Sequence, residues 1–99
     1  MSTDTTPRPI AVTLVHSAAC HFCDDAEEAL HELRCEYAID VSVVDIDSPV
    51  GRTLLGKHRP AMNPLVLVDE EFFSSGRLPR KKFIKLLESR GARLTTVGR

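Results

Sequence analysis

No stretch of about 18 consecutive apolar residues, the length needed to cross a membrane as a helix, occurs anywhere in the 99-residue chain. The first nine residues, MSTDTTPRP, hold an acid, two prolines and no apolar run, so they do not read as a secretory signal. Cysteine is scarce. Three residues are an odd, low count for a disulfide-stapled secreted scaffold and read as thiols in a reducing compartment, which makes the cytoplasm the expected location. Charge of one sign is not in excess either: 13 Lys and Arg against 14 Asp and Glu leave a net charge of -1, which argues against general attraction to nucleic acid or to an anionic membrane. Internal repeats, low-complexity tracts and interdomain linkers are also missing. What remains is an ordinary globular composition, 42% hydrophobic and 27% charged. A chain this short buries roughly two-thirds of its unfolded surface, enough for one modest core, so any active site must lie at the surface of that core. One domain is expected over residues 10–91, with a disordered tail at 1–9 and a frayed tail at 92–99.

Residues 10–16, IAVTLVH, form a nearly continuous apolar run rich in β-branched side chains, the pattern of a central strand covered on both faces. From Phe22, the apolar residues Phe22, Ala26, Ala29, Leu30, Leu33 and Tyr37 recur at helical spacing, which predicts an amphipathic helix of about four turns. Residues 39–46 read as a second strand. Ser48 followed by Pro49 supplies a cap and a first-turn proline for a short helix over 49–57. The run LVLV predicts a third strand, Asp69 and Glu70 a tight turn, and residues 71–74 a fourth strand that pairs with the third as a hairpin. Gly76 ends that segment, Pro79 opens a last helix, and Gly91 is placed to terminate it. Two parallel strands joined by a helix, then a hairpin and a closing helix, predict an α/β fold of order βαβαββα, a four-stranded mixed sheet with three helices, which is the thioredoxin layout.

The chemistry concentrates in AACHFCDD, residues 18–25. Cys20 falls at the head of the first helix and Cys23 one turn further in, on the same side. At that point backbone N–H groups without helical partners and the positive end of the helix dipole converge on the first sulfur, a setting that favours a thiolate. Cys20 is therefore the expected nucleophile on a disulfide, and Cys23 the thiol that resolves the mixed disulfide. His21 could add positive charge, whereas Asp24 and Asp25 add negative charge. Phe22 could cover Cys23, although packing into the core is the plainer reading of an aromatic in the apolar stripe. Two other classes stay open. One is a soft-metal binding or transfer module for copper(I), zinc or mercury, with His16 or His21 completing the shell. The other is a redox-inactive binding module.

These residues resemble a family. The CHFC pair after IAVTLVHS, the helix DDAEEALHELR, the strand ending VVDID, and Asn63-Pro64 before LVLV and its hairpin are similar to the glutaredoxin-like branch of the thioredoxin superfamily over residues 10 to 90. The resemblance implies a small thiol-disulfide oxidoreductase with Cys20 attacking and Cys23 resolving, and with Pro64 as a cis-proline facing them across a substrate groove. It also implies that Asn63 offers its backbone to an extended peptide. No bound cofactor is implied, only an external thiol or reductase as electron donor. The partners would be disulfide-containing proteins or small molecules, and the protein a monomer. The chain departs from the pattern in three places: His21 and Phe22 stand between the cysteines, Ser17 stands where the family has a cation, and SSGRLPRKK replaces a paired glycine followed by acids. These departures weigh against glutathione as the specific donor.

Gly76 and Arg77, with Ser74 or Ser75, could hold a substrate carboxylate at the head of the last helix beside Arg80, Lys81 and Lys82, and a solvated charged face is the alternative. Cys35 reads as an incidental, partly exposed thiol. His16 reads as a packing residue and His58 as a surface one. Lys57 and Arg59 suit a helix C-terminal end or could meet a substrate carboxylate near the groove.

Overall fold

The computed structural model describes residues 9–18 and 20–92; of the expected tails at 1–9 and 92–99, all but Pro9 and Ala92 lie outside them. Seven elements follow in the order β1 (Ile10–His16), α1 (His21–Leu33), β2 (Ile39–Asp45), α2 (Pro49–His58), β3 (Leu65–Val68), β4 (Glu71–Ser75) and α3 (Arg80–Ser89). The strands form one sheet in the order β2-β1-β3-β4, with β1 parallel to β2 and antiparallel to β3, and β3 antiparallel to β4. This is the βαβαββα arrangement predicted above.

Alternation along the strands decides which helix covers which face. Val12, Leu14, Val66 and Val68 pack with Ala26, Ala29, Leu30 and Leu33 of α1 and Phe83 and Leu87 of α3. On the opposite face Val15, Leu65 and Leu67 meet Leu54 and Leu55 of α2. With helices on both sides, all four residues of β3 are buried, which is why LVLV is apolar at every position.

Local chemistry sets the connections. Asp69 and Glu70 both adopt positive φ, 51° and 69°, the backbone of a two-residue turn whose twist matches that of a hairpin. Asp69 is held from two sides, by the Ala11 N–H at 3.2 Å and by Arg90 at the end of α3. Ser48 caps α2, accepting from the Gly51 N–H at 3.0 Å and donating to the Asp45 carbonyl at 2.7 Å. Gly51 is buried because the start of α2 presses on the end of β2: a Cβ there would lie 2.1 Å from the Asp45 carbonyl oxygen. Gly51→Ala is accordingly expected to lower stability by about 1–3 kcal/mol, read as a lower urea midpoint with an unchanged slope.

Three expectations need correction. Helix α1 stops at Leu33 rather than continuing to Tyr37, because the N–H groups of Cys35 and Glu36 turn back to the Glu32 and Leu33 carbonyls in tight bonds of 3.1 and 2.9 Å. Tyr37 is buried all the same, its hydroxyl donating to Glu88 Oε2 at 2.9 Å. Ala92 is not frayed but buried, and its carbonyl accepts from the Ala38 N–H at 2.8 Å. His58 is half-buried, with Nε2 enclosed, rather than on the open surface.

Candidate functional site

The sheet places the cysteine pair by its register. Val15 of β1 pairs with Leu65 of β3, and Leu65 with Ser75 of β4, so His16, Pro64 and Gly76 follow one another across the same end of the sheet. The Gly76 N–H donates to the Pro64 carbonyl at 2.9 Å. From His16 the chain runs on through Ser17 to Cys20, where α1 begins, so the CHFC segment and the Asn63-Pro64 segment both lie at this end. The Asn63-Pro64 bond is cis and Pro64 is fully buried, while Asn63 is half-buried.

Cys20 is the N-cap of α1, and its Sγ accepts the backbone N–H of Cys23 at 3.2 Å. A capping position is normally taken by a side-chain oxygen; here a sulfur occupies it, in contact with an amide that the helix itself leaves unpaired. Cys20 is half-buried and Cys23 completely so, and neither forms a disulfide. The two thiols therefore differ in access. Burial first, and then the neighbouring Cys20, push the Cys23 thiol up from 9.0 to about 11, so at neutral pH it keeps its proton. The neighbouring Ser17 acts the other way and offsets part of this rise.

A pH dependence of stability follows. In the reduced protein Cys23 adds nothing to the pH dependence below about pH 9, where folded and unfolded chains both hold its proton. Between about 9 and 11 the unfolded chain loses the proton and the folded one keeps it, so this group's contribution falls as pH rises, by about 3 kcal/mol at 1.36 kcal/mol per tenfold change in acidity. The urea midpoint of the reduced protein is expected to drop more steeply over this range than that of Cys23→Ala.

The surrounding side chains fall into two sets. His21 and Phe22, the first residues of α1, are exposed, and Phe22 is 41% accessible. Phe22 therefore does not join the core as its helical spacing suggested: burial along α1 begins one residue later, at Cys23. Met62, 53% accessible, lies against Gly76, its Sδ 3.3 Å from where a Cβ would be. Gly76 is buried with φ 83°, a backbone that disfavours any side chain. Arg77 is exposed and, with Leu78, Pro79, Arg80, Lys81 and Lys82, lines an open hollow of about 590 Å³ at the head of α3. Arg80 also pairs with Asp25 at 3.1 Å, which brings the basic head of α3 to the acidic first turns of α1. Both partners are nearly half exposed, so this pair is worth at most about 1 kcal/mol.

Other residues stand apart from this cluster. His16 serves the sheet, its carbonyl accepting the Ile46 N–H at 2.8 Å. Cys35 is exposed beyond the C-terminal end of α1. Lys57 and Arg59 belong to the end of α2, where Arg59 adopts the left-handed cap conformation with φ 47°. Among the described residues no three or more His, Cys, Asp or Glu side chains gather as a metal-holding set. Sequence reasoning missed the contact of Arg80 with Asp25, which spans 55 positions and carries no periodic signal.

Comparison with known proteins agrees with this geometry. The fold matches that of a mutant thioredoxin from Halobacterium salinarum, with a TM-score of 0.63 and 17% identity over 90% of this chain and 80% of that one. It also matches a thioredoxin from Plasmodium falciparum, with a TM-score of 0.62 and 14% identity over 93% of this chain and 78% of that one. At such identities the likeness establishes a thioredoxin-like fold. No curated protein matches the chain in sequence. The sequence does match the glutaredoxin-like domain (DUF836) over residues 11–88, a span that begins in β1 and ends in α3, and the chain therefore belongs to the glutaredoxin-like domain family.

Proposed function

We propose that the protein is a small dithiol oxidoreductase that reduces disulfides in proteins or low-molecular-weight compounds. The observation that carries this reading is the position of Cys20, whose sulfur caps α1 against the Cys23 amide while Cys23 is sealed from solvent one turn below. One thiol is open to a substrate and the other waits underneath.

The reaction divides between them. Cys20 Sγ, as thiolate, attacks one sulfur of the substrate disulfide; a bond forms between these sulfurs, and the other substrate sulfur leaves and takes up a proton. Cys23 then loses its proton and attacks Cys20 Sγ. The Cys20–Cys23 disulfide forms and the second substrate sulfur departs as a thiol. Two electrons pass from the cysteine pair to the substrate, and an external thiol or reductase restores the pair. Exposed Phe22 and Met62 offer apolar contact to the substrate, His21 a polar one, and Asn63 a backbone for an extended peptide. Arg77, next to Gly76, lines the basic hollow together with Arg80, Lys81 and Lys82, and there a substrate carboxylate would be held. No bound cofactor is required, and free thiols of this kind suit a monomer working in a reducing compartment such as the cytoplasm.

The experiment is a donor panel. Disulfide reduction is measured with glutathione, with another small thiol and with a thioredoxin reductase in turn, using an insulin disulfide and a small dialkyl disulfide as substrates. Turnover with at least one donor supports the reading, with glutathione expected to be the weaker small-thiol donor because SSGRLPRKK lacks the paired glycine and acids. Absence of turnover with every donor and both substrates would refute it.

A further inference from the structure

Strand β4 ends the sheet on one side: it pairs with β3 and has no strand beyond it. Among the described residues no backbone hydrogen bond other than those with β3 reaches residues 71–75, so the outer row of N–H and C=O groups stands open as a template for a further strand. The pairing with β3 also carries a bulge. Ser74 pairs with Val66 and Phe72 with Leu67, which leaves Phe73 as the extra residue. Two neighbours that strict alternation sends to opposite faces thereby line one groove, whose other wall is Lys82, Lys85, Leu86 and Ser89 of α3. The groove measures about 610 Å³. Phe72 is 51% accessible, whereas Phe73 is half-buried, with the Lys82 ammonium 5.7 Å above its ring. The charged residues on the walls are both cations. Among the described residues the ion pairs are those of Arg80 with Asp25 and Arg90 with Asp69, so neither Lys82 nor Lys85 has a carboxylate partner there.

We propose that the groove between β4 and α3 docks an extended segment of a partner polypeptide in which acidic and apolar side chains alternate. The backbone of the segment extends the sheet along the free edge of β4. Its carboxylates meet Lys82 and Lys85, and the alternating apolar set covers the Phe72 ring. The sign of the walls selects an acidic partner, and the exposed ring selects an apolar one. A nucleic-acid strand fits less well: one exposed ring offers no series of stacking platforms, and an overall charge of -1 supplies no field to draw in a polyanion. An open row of backbone donors and acceptors is complementary to a peptide instead. Lys82 lines both this groove and the hollow at the head of α3, so the two adjoin at that residue. Docking here needs no thiol and stands apart from the chemistry of Cys20 and Cys23.

The probe is a fluorescein-labelled, end-blocked peptide EFEVEFE, titrated with the reduced full-length chain and followed by fluorescence anisotropy. Saturable binding is expected, and it weakens as salt rises and screens the lysines. Phe72→Ser and Lys85→Glu each weaken it about fivefold or more. Val50→Ser, which removes an apolar side chain 58% accessible on α2, leaves it unchanged. The charge-reversed peptide KFKVKFK and the glycine peptide EGEGEGE bind about tenfold more weakly or worse. All three substituted side chains are exposed, so the variants keep the parent's urea midpoint. Absence of saturable binding, binding that Phe72→Ser and Lys85→Glu leave intact, or equal binding of KFKVKFK overturns the proposal. Tighter binding of a short oligothymidylate, or a dimer in sedimentation that Phe72→Ser dissolves, overturns it in favour of a nucleic-acid strand or a second copy of the chain. The probe carries no cysteine, so failure of the donor panel refutes the dithiol reading and leaves the groove untouched.

Discussion

Cys20→Ser is expected to lower disulfide-reductase turnover on the order of a thousandfold or more while leaving the fold intact. A serine hydroxyl is not ionised near neutral pH, so covalent attack on the substrate disulfide is lost. At 1.36 kcal/mol per tenfold change, a thousandfold is about 4 kcal/mol of transition-state stabilisation. The same substitution puts an oxygen in place of a sulfur at the helix cap, where serine is among the favoured residues. Stability should therefore be equal to the parent's or slightly above it, because the serine oxygen can accept the Cys23 N–H that the sulfur now takes at 3.2 Å. Turnover with an insulin disulfide and a urea unfolding curve on the same sample check both halves. Retained turnover would move the nucleophile elsewhere, and a collapsed fold would make Cys20 a structural residue.

Phe83→Ala is expected to lower stability by about 3–5 kcal/mol, a large share of the roughly 5–15 kcal/mol that a domain has in total. Phe83 is fully buried in α3 and is the largest of the completely enclosed side chains. It joins the cluster that ties α1 and α3 to β1 and β3. Its ring also meets Phe73 of β4 edge-on, with centroids 5.4 Å apart, a contact worth about 0.5–1.5 kcal/mol beyond simple burial. Truncation leaves a void that fixed strands on one side and α1 on the other cannot close. A urea midpoint displaced by less than 1 kcal/mol would mean that α3 is not anchored through this ring. Because α3 also carries the hollow lined by residues 77–82, the variant should lose protection against proteolysis near residues 77–89.

The elements of this fold are written in short patterns, and those patterns were readable wherever one residue type dominates a local choice. The run LVLV announced a strand with two covered faces, and Ser48-Pro49 announced the start of α2. The pair Cys20 and Cys23 could be placed at a helix head because an apolar strand precedes it and an amphipathic stripe follows. The stripe misled at both ends for a physical reason. Phe22 and Tyr37 stand at helical spacing with Ala26, Leu30 and Leu33, yet Phe22 is exposed while its neighbour Cys23 is buried. Tyr37 is buried from a turn, and it takes part in a contact with Glu88 that the spacing does not encode. No glycine or proline marks the end of α1 at Leu33, so the periodicity carries on past the point where the backbone stops. The cis bond at Asn63-Pro64 was expected through resemblance, since a proline before a strand reads equally well as an ordinary strand start. The contact of Arg80 with Asp25 depends on how α1 and α3 dock, and single-sequence patterns hold no trace of it.

Counting thiols after mild oxidation addresses the cysteine pair without assuming a substrate or a donor. The reduced chain carries three titratable thiols under denaturing conditions, Cys20, Cys23 and Cys35. After treatment with a mild disulfide oxidant at low protein concentration, one thiol should remain, with Cys20 and Cys23 joined within a single chain and Cys35 identified by peptide mass as the free one. Three persisting thiols, or a bond that joins two chains through Cys35 while Cys20 and Cys23 stay reduced, would contradict a redox role for the pair.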